Sequence, residues 1–187
     1  MKEHIKKLIP EKDIHAFWLS FILCLLCCCG ILFIVAPLTG LSQRFGSGND
    51  GYIQIARSIV NGDGYVFRPG GAKVFHRPPL YPILLTTVAV FPEQLQRYVI
   101  ILPQSLMVGI TGFLIFKIAR SLLSLTVAKI SLLLFLLNPW VYWNAKNPMT
   151  AVLQMMLYVS FIYLFGRLCK TLFSGDNTKN HTGLQVG

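Results

Sequence analysis

Charged residues are scarce in this chain of 187 residues: only 13% are Asp, Glu, Lys or Arg. Soluble globular domains carry about 25% charged residues, whereas 54% of this chain is hydrophobic. The shortage of charge excludes a soluble globular protein, because so apolar a chain could not keep its surface in water. We therefore predict an all-α membrane protein.

Acidic residues are scarcer still, with seven Asp and Glu against 17 Lys and Arg, and none between Glu93 and Asp176. The net charge of +10 does not indicate binding to nucleic acid, because the basic residues are scattered between apolar runs and form no stripe. Such residues orient membrane helices and meet anionic headgroups. We expect membrane lipid as a partner and no nucleic acid.

Cysteine is nearly absent outside one apolar run, since four of the five lie in FILCLLCCCG. Within it, Cys24 and Cys27 have the CxxC spacing of a metal or redox pair. Neither a nearby histidine nor a second CxxC pair supports a zinc site. The alternative, which we favour, is that they are small residues on a lipid-embedded helix. We expect no metal site, and the cysteines do not indicate the compartment.

Long apolar runs replace the missing charge, and four of them predict membrane-spanning helices. A helix of about 20 residues crosses the ~30 Å of hydrocarbon. The predicted spans are Ala16–Leu38, Tyr98–Phe116, Leu122–Leu137 and Thr150–Phe165. The first follows four lysines and predicts an uncleaved anchor. A signal peptide is the alternative, which its unusually long apolar region disfavours.

The basic residues predict the topology. The apolar run 78–91 has about fourteen residues, which is short for a span and fits an interfacial or re-entrant helix. If it does not span, the basic residues after the second and fourth spans lie on the same side as the N-terminal lysines: Lys117, Arg120, Arg167 and Lys170. The positive-inside rule then places both termini in the cytoplasm of a multi-pass plasma (inner) membrane protein.

This topology divides the chain into three parts. Residues 1–13 form a cytoplasmic N-terminus, residues 14–166 a transmembrane module and residues 167–187 a disordered cytoplasmic tail. An outer loop over residues 39–97 carries short juxtamembrane helices. One is the amphipathic segment YIQIARSIV, with Ile53, Ala56, Ile59 and Val60 on one predicted face.

The outer loop carries the residues that can act on a ligand. Its six basic and three acidic residues leave a positive excess that suits an anionic headgroup such as a phosphate. His76 and Arg77 precede the short apolar helix, where they either face a phosphate or anchor the helix at the headgroups. Asp50 precedes the amphipathic segment, and its spacing fits either a helix N-cap or a catalytic carboxylate.

The order of motifs ND, GY, IQIA, RSIVNGDGY and FHRPPLYP resembles the N-terminal part of the GT-C class of multi-span glycosyltransferases. The nearest group contains the protein mannosyltransferases and lipid A aminoarabinose transferases. The shared features are an acidic residue at the loop start (Asp50), Tyr52 and Ala56 four apart, Arg77 before Pro-Pro-Leu, and an Asn-Pro turn at Asn138. The resemblance extends over about residues 15–166.

The resemblance implies transfer of a sugar from a polyprenyl-phosphate donor to an acceptor on the outer face. Asp50 would be the catalytic base, and Arg77 would hold the leaving phosphate. Tyr52 would line the site, and His76 would contact donor or acceptor. The lipid-linked sugar is the donor substrate, no other cofactor is implied with certainty, and a metal requirement stays open.

Three departures from the family pattern bear on whether the chain is an enzyme. His76 stands where relatives often carry an acidic residue, and NPMTAVLQ lacks the acidic residue that many relatives have there. The family also has more spans, so three alternatives stay open: the chain is a fragment, a truncated gene product, or one half of a split enzyme whose missing helices a second membrane chain supplies. The alternative function is a non-catalytic membrane subunit or relic. A transporter is disfavoured because only Lys129 is charged within a predicted span.

Overall fold

The computed structural model describes residues 11–35 and 51–174, and this part of the chain is built from α-helices. The helices are α1 Glu11–Gly30, continued by a π-helical turn Ile31–Val35, α2 Tyr52–Val60, α3 Leu80–Ala89, α4 Glu93–Val99, α5 Ile101–Leu122, α6 Leu125–Leu136, α7 Pro139–Ala145 and α8 Ala151–Ser174. The one β-bridge in these ranges joins Val66 to Lys73. The predicted all-α fold class is confirmed.

Two apolar helices are long enough to cross a membrane. They are Glu93–Leu122, which joins α4 and α5 over 30 residues, and Ala151–Leu172 in α8 with 22. The pair α6 and α7, bent by 55°, makes a third if it forms one span. The apolar part of α1, Ile14–Gly30, is shorter. The described residues therefore hold two or three spanning helices, where the sequence predicted four, and the end of the first predicted span lies outside them.

Helices α1 and α5 run antiparallel at close range. A Cβ atom added to Gly112 would lie 2.8 Å from Ser20 Cβ, and one added to Gly109 would lie 3.0 Å from Phe21 Cβ. The contact that comes later in α1 comes earlier in α5, so the two helices run in opposite directions. Small residues at such crossings let helix backbones approach closely in a membrane. This pair forms the centre of the bundle.

The buried residues form two clusters at opposite ends of the bundle. One cluster joins the starts of α2, α3, α5 and α8 through residues such as Tyr52, Tyr81, Ile101 and Val152; we call this the loop end. The other joins the start of α1 to the end of α5 and to α6, through Ala16, Phe116, Ala128, Leu132 and Leu136. The loop end therefore holds most of the outer loop predicted from the sequence.

The cysteines of α1 pack inside the bundle. Cys24 Sγ lies 3.9 Å from Cys28 Sγ, and Cys28 Sγ lies 3.7 Å from the carbonyl oxygen of Tyr142 on α7. Both thiols are buried and free, whereas Cys27 is half-buried. The spacing of four residues places Cys24 and Cys28 on one helical face. The contacts support a packing role for the buried pair.

The amphipathic helix α2 forms as predicted over Tyr52–Val60. Its buried face differs in part from the predicted one, because Ile53 and Ala56 are buried while Ile59 is half-buried and Val60 is exposed. The N-cap residue is Gly51, with a φ of 75°. Asp50 lies outside the described residues, so both alternatives for it, a capping residue and a catalytic carboxylate, stay predictions.

Candidate functional site

The loop segment, residues 51–79, folds back on itself through two turns. The first ends α2: Gly62, with a φ of 86°, donates its N–H to Ile59 O at 3.1 Å, and Asp63 donates to Ser58 O at 2.9 Å. These are the two hydrogen bonds of a Schellman motif. The second turn reverses the chain at Gly70, whose φ is 71°. Together the turns return residues 76–79 to the start of α2.

Arg77 and Tyr52 are brought together by this reversal. The guanidinium carbon of Arg77 lies 5.5 Å from the centroid of the Tyr52 ring, within the range of a cation–π contact. The Tyr65 hydroxyl lies within hydrogen-bond distance of the carbonyl oxygens of Arg77 at 3.1 Å and Pro78 at 3.2 Å. Burial raises the pKa of Tyr65, so the hydroxyl keeps its proton to donate. The backbone that carries Arg77 is thereby fixed.

The Tyr52 ring rests on a second buried ring. Tyr81 meets it edge to face, with centroids 5.4 Å apart and planes at 87°, an arrangement that aromatic pairs prefer. Gln104 on α5 donates its side-chain N–H to the Tyr81 hydroxyl oxygen at 2.6 Å. Burial raises the pKa of Tyr81 well above its ordinary range, so its hydroxyl stays neutral. Arg77 thus lies above a rigid aromatic support.

His76 is exposed and lies beside Phe67, with ring centroids 6.0 Å apart. The Phe67 ring also covers Gly51, where an added Cβ would lie 2.8 Å from Phe67 Cδ1. Only a residue without a side chain permits this contact and the positive φ together. Phe67 therefore connects the start of α2 to the segment that carries His76 and Arg77.

A polar network fixes the other side of α2 to the start of α4. Arg57 donates from Nε and Nη2 to Gln96 Oε1 at 2.9 and 2.6 Å, and from Nη1 to Glu93 Oε1 at 3.0 Å. The buried Gln96 donates to Phe91 O at 2.8 Å. Because the network joins Arg57 of α2 to Glu93 and Gln96 of α4, it positions the loop segment against the bundle.

The structure brings together some of the predicted site residues. Tyr52 and Arg77 are in contact, and His76 reaches the start of α2 through Phe67. Asp50 lies outside the described residues, so its role as a base stays a prediction. The sequence reasoning missed Tyr65, Tyr81 and Gln104, which hold the site in place. Tyr81 directly follows the Pro-Pro-Leu motif, so the sequence could have indicated it as a site residue. Gln104 is a lone glutamine in an apolar run, and no sequence pattern indicates its role.

The chemical groups of the site are a guanidinium and aromatic rings. Among the other acidic residues of the loop, Glu93 pairs with Arg57 and Asp63 is exposed in a turn. Within residues 11–35 and 51–174, no group of three or more His, Cys, Asp or Glu could hold a metal ion. A fixed cation beside aromatic surface can bind a phosphate and an organic group attached to it.

Comparison with known proteins assigns the family. No curated protein and no solved structure matches the chain. A family model described as dolichyl-phosphate-mannose-protein mannosyltransferase matches residues 76–175, which is more than half of the 187 residues and includes His76 and Arg77. The match agrees with the helical membrane fold and supports the predicted GT-C resemblance. The chain therefore belongs to the dolichyl-phosphate-mannose-protein mannosyltransferase family, as a GT-C-type membrane protein.

Proposed function

We propose that the protein is a membrane glycosyltransferase that transfers a sugar from a polyprenyl-phosphate donor to an acceptor on the outer face of the plasma membrane. The observation that carries the proposal is the placement of Arg77 over Tyr52 at 5.5 Å, at the end of a loop segment that returns to the start of α2. Family membership supports a mannosyltransferase-like activity. The polyprenyl-phosphate donor, the acceptor and the outer side of the membrane are all parts of this proposal.

The proposed reaction assigns one step to each group. The carboxylate of Asp50 accepts the proton of the acceptor hydroxyl, whose oxygen attacks the anomeric carbon of the sugar. The new bond joins that oxygen to the anomeric carbon, and the bond from the same carbon to the phosphate oxygen breaks. The electron pair leaves with the polyprenyl phosphate, and the Arg77 guanidinium stabilises its added negative charge. The fixed backbone of Arg77 preorganises this contact.

Tyr52 lines the site in this proposal as the support of Arg77, and His76 contacts the substrates. The Tyr52 ring, which is buried against Tyr81, supports the guanidinium from one side. The exposed His76 imidazole lies one residue from Arg77 and beside Phe67, where it can form a hydrogen bond to a sugar or acceptor hydroxyl.

A transfer assay tests the proposal. Purified protein in detergent is supplied with a polyprenyl-phosphate mannose and candidate hydroxyl acceptors, and transferred sugar is measured by mass spectrometry. Asp50→Asn is expected to remove turnover while leaving donor binding in place. The matched control is Asp63→Asn, because Asp63 is an exposed acid of the same loop, and it should retain full turnover. Unchanged turnover in Asp50→Asn would remove Asp50 from the mechanism.

The second candidate function is a non-catalytic membrane subunit that assembles with other membrane helices. It is favoured by the absence of any acidic residue from 94 to 175, because many resembling enzymes carry a second one there. Co-purification with a second membrane chain, and turnover only in that complex, would indicate a split enzyme. Stable assembly with no turnover of any polyprenyl-phosphate sugar would indicate the non-catalytic subunit.

A further inference from the structure

A buried cation lies in the turn between α7 and α8. Lys146 is only 7% exposed, and its ammonium nitrogen lies 3.8 Å from the centroid of the Trp143 ring. Burial of an ammonium is unfavourable unless other groups replace the lost water. The face of an indole ring replaces part of that hydration, but it carries no negative charge.

The described part of the chain supplies no anion to Lys146. Glu93 pairs with Arg57, Asp63 is exposed in its turn, and no acidic residue occurs from 94 to 175. Within residues 11–35 and 51–174, the Lys146 ammonium takes part in no ion pair with a carboxylate. Burial lowers the pKa of Lys146, and the neighbouring Cys28 only partly opposes this. The charge is therefore not compensated by any carboxylate in the part of the chain that the structure describes.

The turn that carries Lys146 is rigid and belongs to the same framework as Arg77. Asn144, Ala145 and Pro148 are buried. The Gln104 side-chain nitrogen donates to Asn147 O at 3.2 Å as well as to the Tyr81 hydroxyl. Since Tyr81 supports Tyr52, one glutamine connects the Lys146 turn to the aromatic support of Arg77. Lys146 therefore lies at the loop end, in a fixed place.

We propose that the turn around Lys146 forms a subsite that binds the phosphate group of a lipid. A lysine ammonium binds phosphate as a point charge, and a phosphate supplies the negative charge that the described residues lack. A lipid is the source in a membrane protein, either as a polyprenyl-phosphate donor or as a bilayer phospholipid. In the first case the inference deepens the proposed function and rests on it; in the second it is independent of it.

The pKa of Lys146 in the wild-type protein gives the first test. The full chain is labelled with [¹³Cε]lysine in a neutral detergent, and the Lys146 signal is identified by its loss in Lys146→Arg. A bound phosphate favours the charged ammonium, so a polyprenyl monophosphate should raise the pKa of Lys146. The exposed Lys73 should not change. No shift with either a polyprenyl monophosphate or phosphatidylglycerol would overturn the subsite.

Affinity measurements on variants give the second test. Lys146→Gln should weaken binding of the phosphate lipid by about tenfold, the loss expected for one charged hydrogen bond. Lys146→Arg should retain most of the affinity, and Lys73→Gln should leave it unchanged. Wild-type affinity in Lys146→Gln would overturn the proposal. If that variant does not fold, the titration of the wild-type protein decides.

The two lipids identify the source of the phosphate. Effects with the polyprenyl monophosphate alone assign the subsite to the donor, and equal effects with phosphatidylglycerol assign it to the bilayer. Neither measurement requires sugar transfer. If the lipid shifts the pKa of Lys146 but the chain transfers no sugar, the subsite is upheld and the proposed function fails. If the chain transfers sugar but the pKa of Lys146 does not shift, the proposed function is upheld and the subsite fails.

Discussion

The side-chain nitrogen of Gln104 lies 2.6 Å from the hydroxyl oxygen of Tyr81, and this contact joins a membrane-spanning helix to the loop end. The same nitrogen lies 3.2 Å from the carbonyl oxygen of Asn147. Both side chains are buried, where hydrogen bonds are strengthened by the low dielectric. One amide thus sets the relative positions of α3, α5 and the turn before α8.

Gln104→Leu is expected to destabilise the fold by about 1–3 kcal/mol, because the buried partners of the amide are left without a donor. The free energy of unfolding can be measured by denaturant titration in detergent micelles. The matched control is Gln154→Leu, since Gln154 is exposed on α8; its effect should stay within about 0.5 kcal/mol. Equal effects of the two substitutions would show that the Gln104 contacts contribute nothing.

The closest approach of α1 and α5 gives a second prediction. Gly112→Ala places a Cβ atom 2.8 Å from Ser20 Cβ and 3.4 Å from Leu132 Cδ1, so the helices must separate. We expect a loss of about 1–3 kcal/mol in unfolding free energy. In Gly166→Ala, the new Cβ meets nothing within 4 Å. That control should gain up to about 1 kcal/mol from helix propensity, and a similar loss in both variants would contradict the packing argument.

The network around Arg57 predicts unequal roles for its two partners. Gln96 is 2% exposed and accepts from Arg57 at 2.6 and 2.9 Å, so Gln96→Leu should cost about 1–3 kcal/mol. The side chain of Glu93 is 74% exposed. Glu93→Gln should therefore change stability by less than about 1 kcal/mol, as for other surface ion pairs. Thermal unfolding in detergent ranks the two variants, and a larger effect at Glu93 would reverse our assignment.

The sequence predicted the elements of the fold better than their ends. The period of YIQIARSIV predicted α2, but its buried face was partly wrong, because tertiary contacts cover Tyr52 and Ile55 and leave Val60 exposed. The short apolar run after His76 forms the ten-residue helix α3, as its length indicated. The bend of 55° between α6 and α7 was not predicted, since Asn138-Pro139 was interpreted as a turn after a complete span.

The contacts that fix the site could be predicted less well. Motif order placed Tyr52 and Arg77 in one loop, and the structure brings them into contact. The support by Tyr81 and Gln104 depends on pairs 23 residues apart, which no local pattern reports. The sequence analysis singled out no role for Lys146, whose burial no local pattern reports. Periodicity describes only residues that are close in the sequence, so it cannot predict which side chains are buried by residues far away in the chain.

The contact between Arg77 and Tyr52 predicts how donor affinity responds to conservative changes. Tyr52→Phe keeps the ring face, so binding of a polyprenyl monophosphate should stay within about threefold, whereas Tyr52→Leu should weaken it by about tenfold as the cation–π contact is lost. Arg77→Lys keeps the charge but loses the planar fork, and should also weaken binding. Fluorescence or calorimetric titration in detergent gives these affinities. Full affinity in Tyr52→Leu would show that the ring does not support the guanidinium.

Lys146 predicts a pH dependence of stability. Burial holds the pKa of its ammonium below the ordinary value of 10.5. Between the folded-state pKa and 10.5, the unfolded chain therefore binds more protons than the folded chain. The contribution of Lys146 to the free energy of unfolding therefore rises with pH across that window. It is lowest at lower pH, where Lys146 is charged in both the folded and the unfolded chain. Near neutral pH, Lys146→Met should be at least as stable as the wild type, because it removes a buried charge.

The difference in unfolding free energy between the wild type and Lys146→Met isolates this effect. Tyr65 and Tyr81, whose pKa values are raised by burial, act in the opposite direction, because their unfolded forms lose protons first at high pH. These contributions are common to both proteins and cancel in the difference. The unfolding free energy of the wild type should rise relative to that of Lys146→Met as the pH approaches 10.5. A difference that stays flat or falls would show that the Lys146 ammonium is hydrated in the ligand-free protein and needs no bound anion.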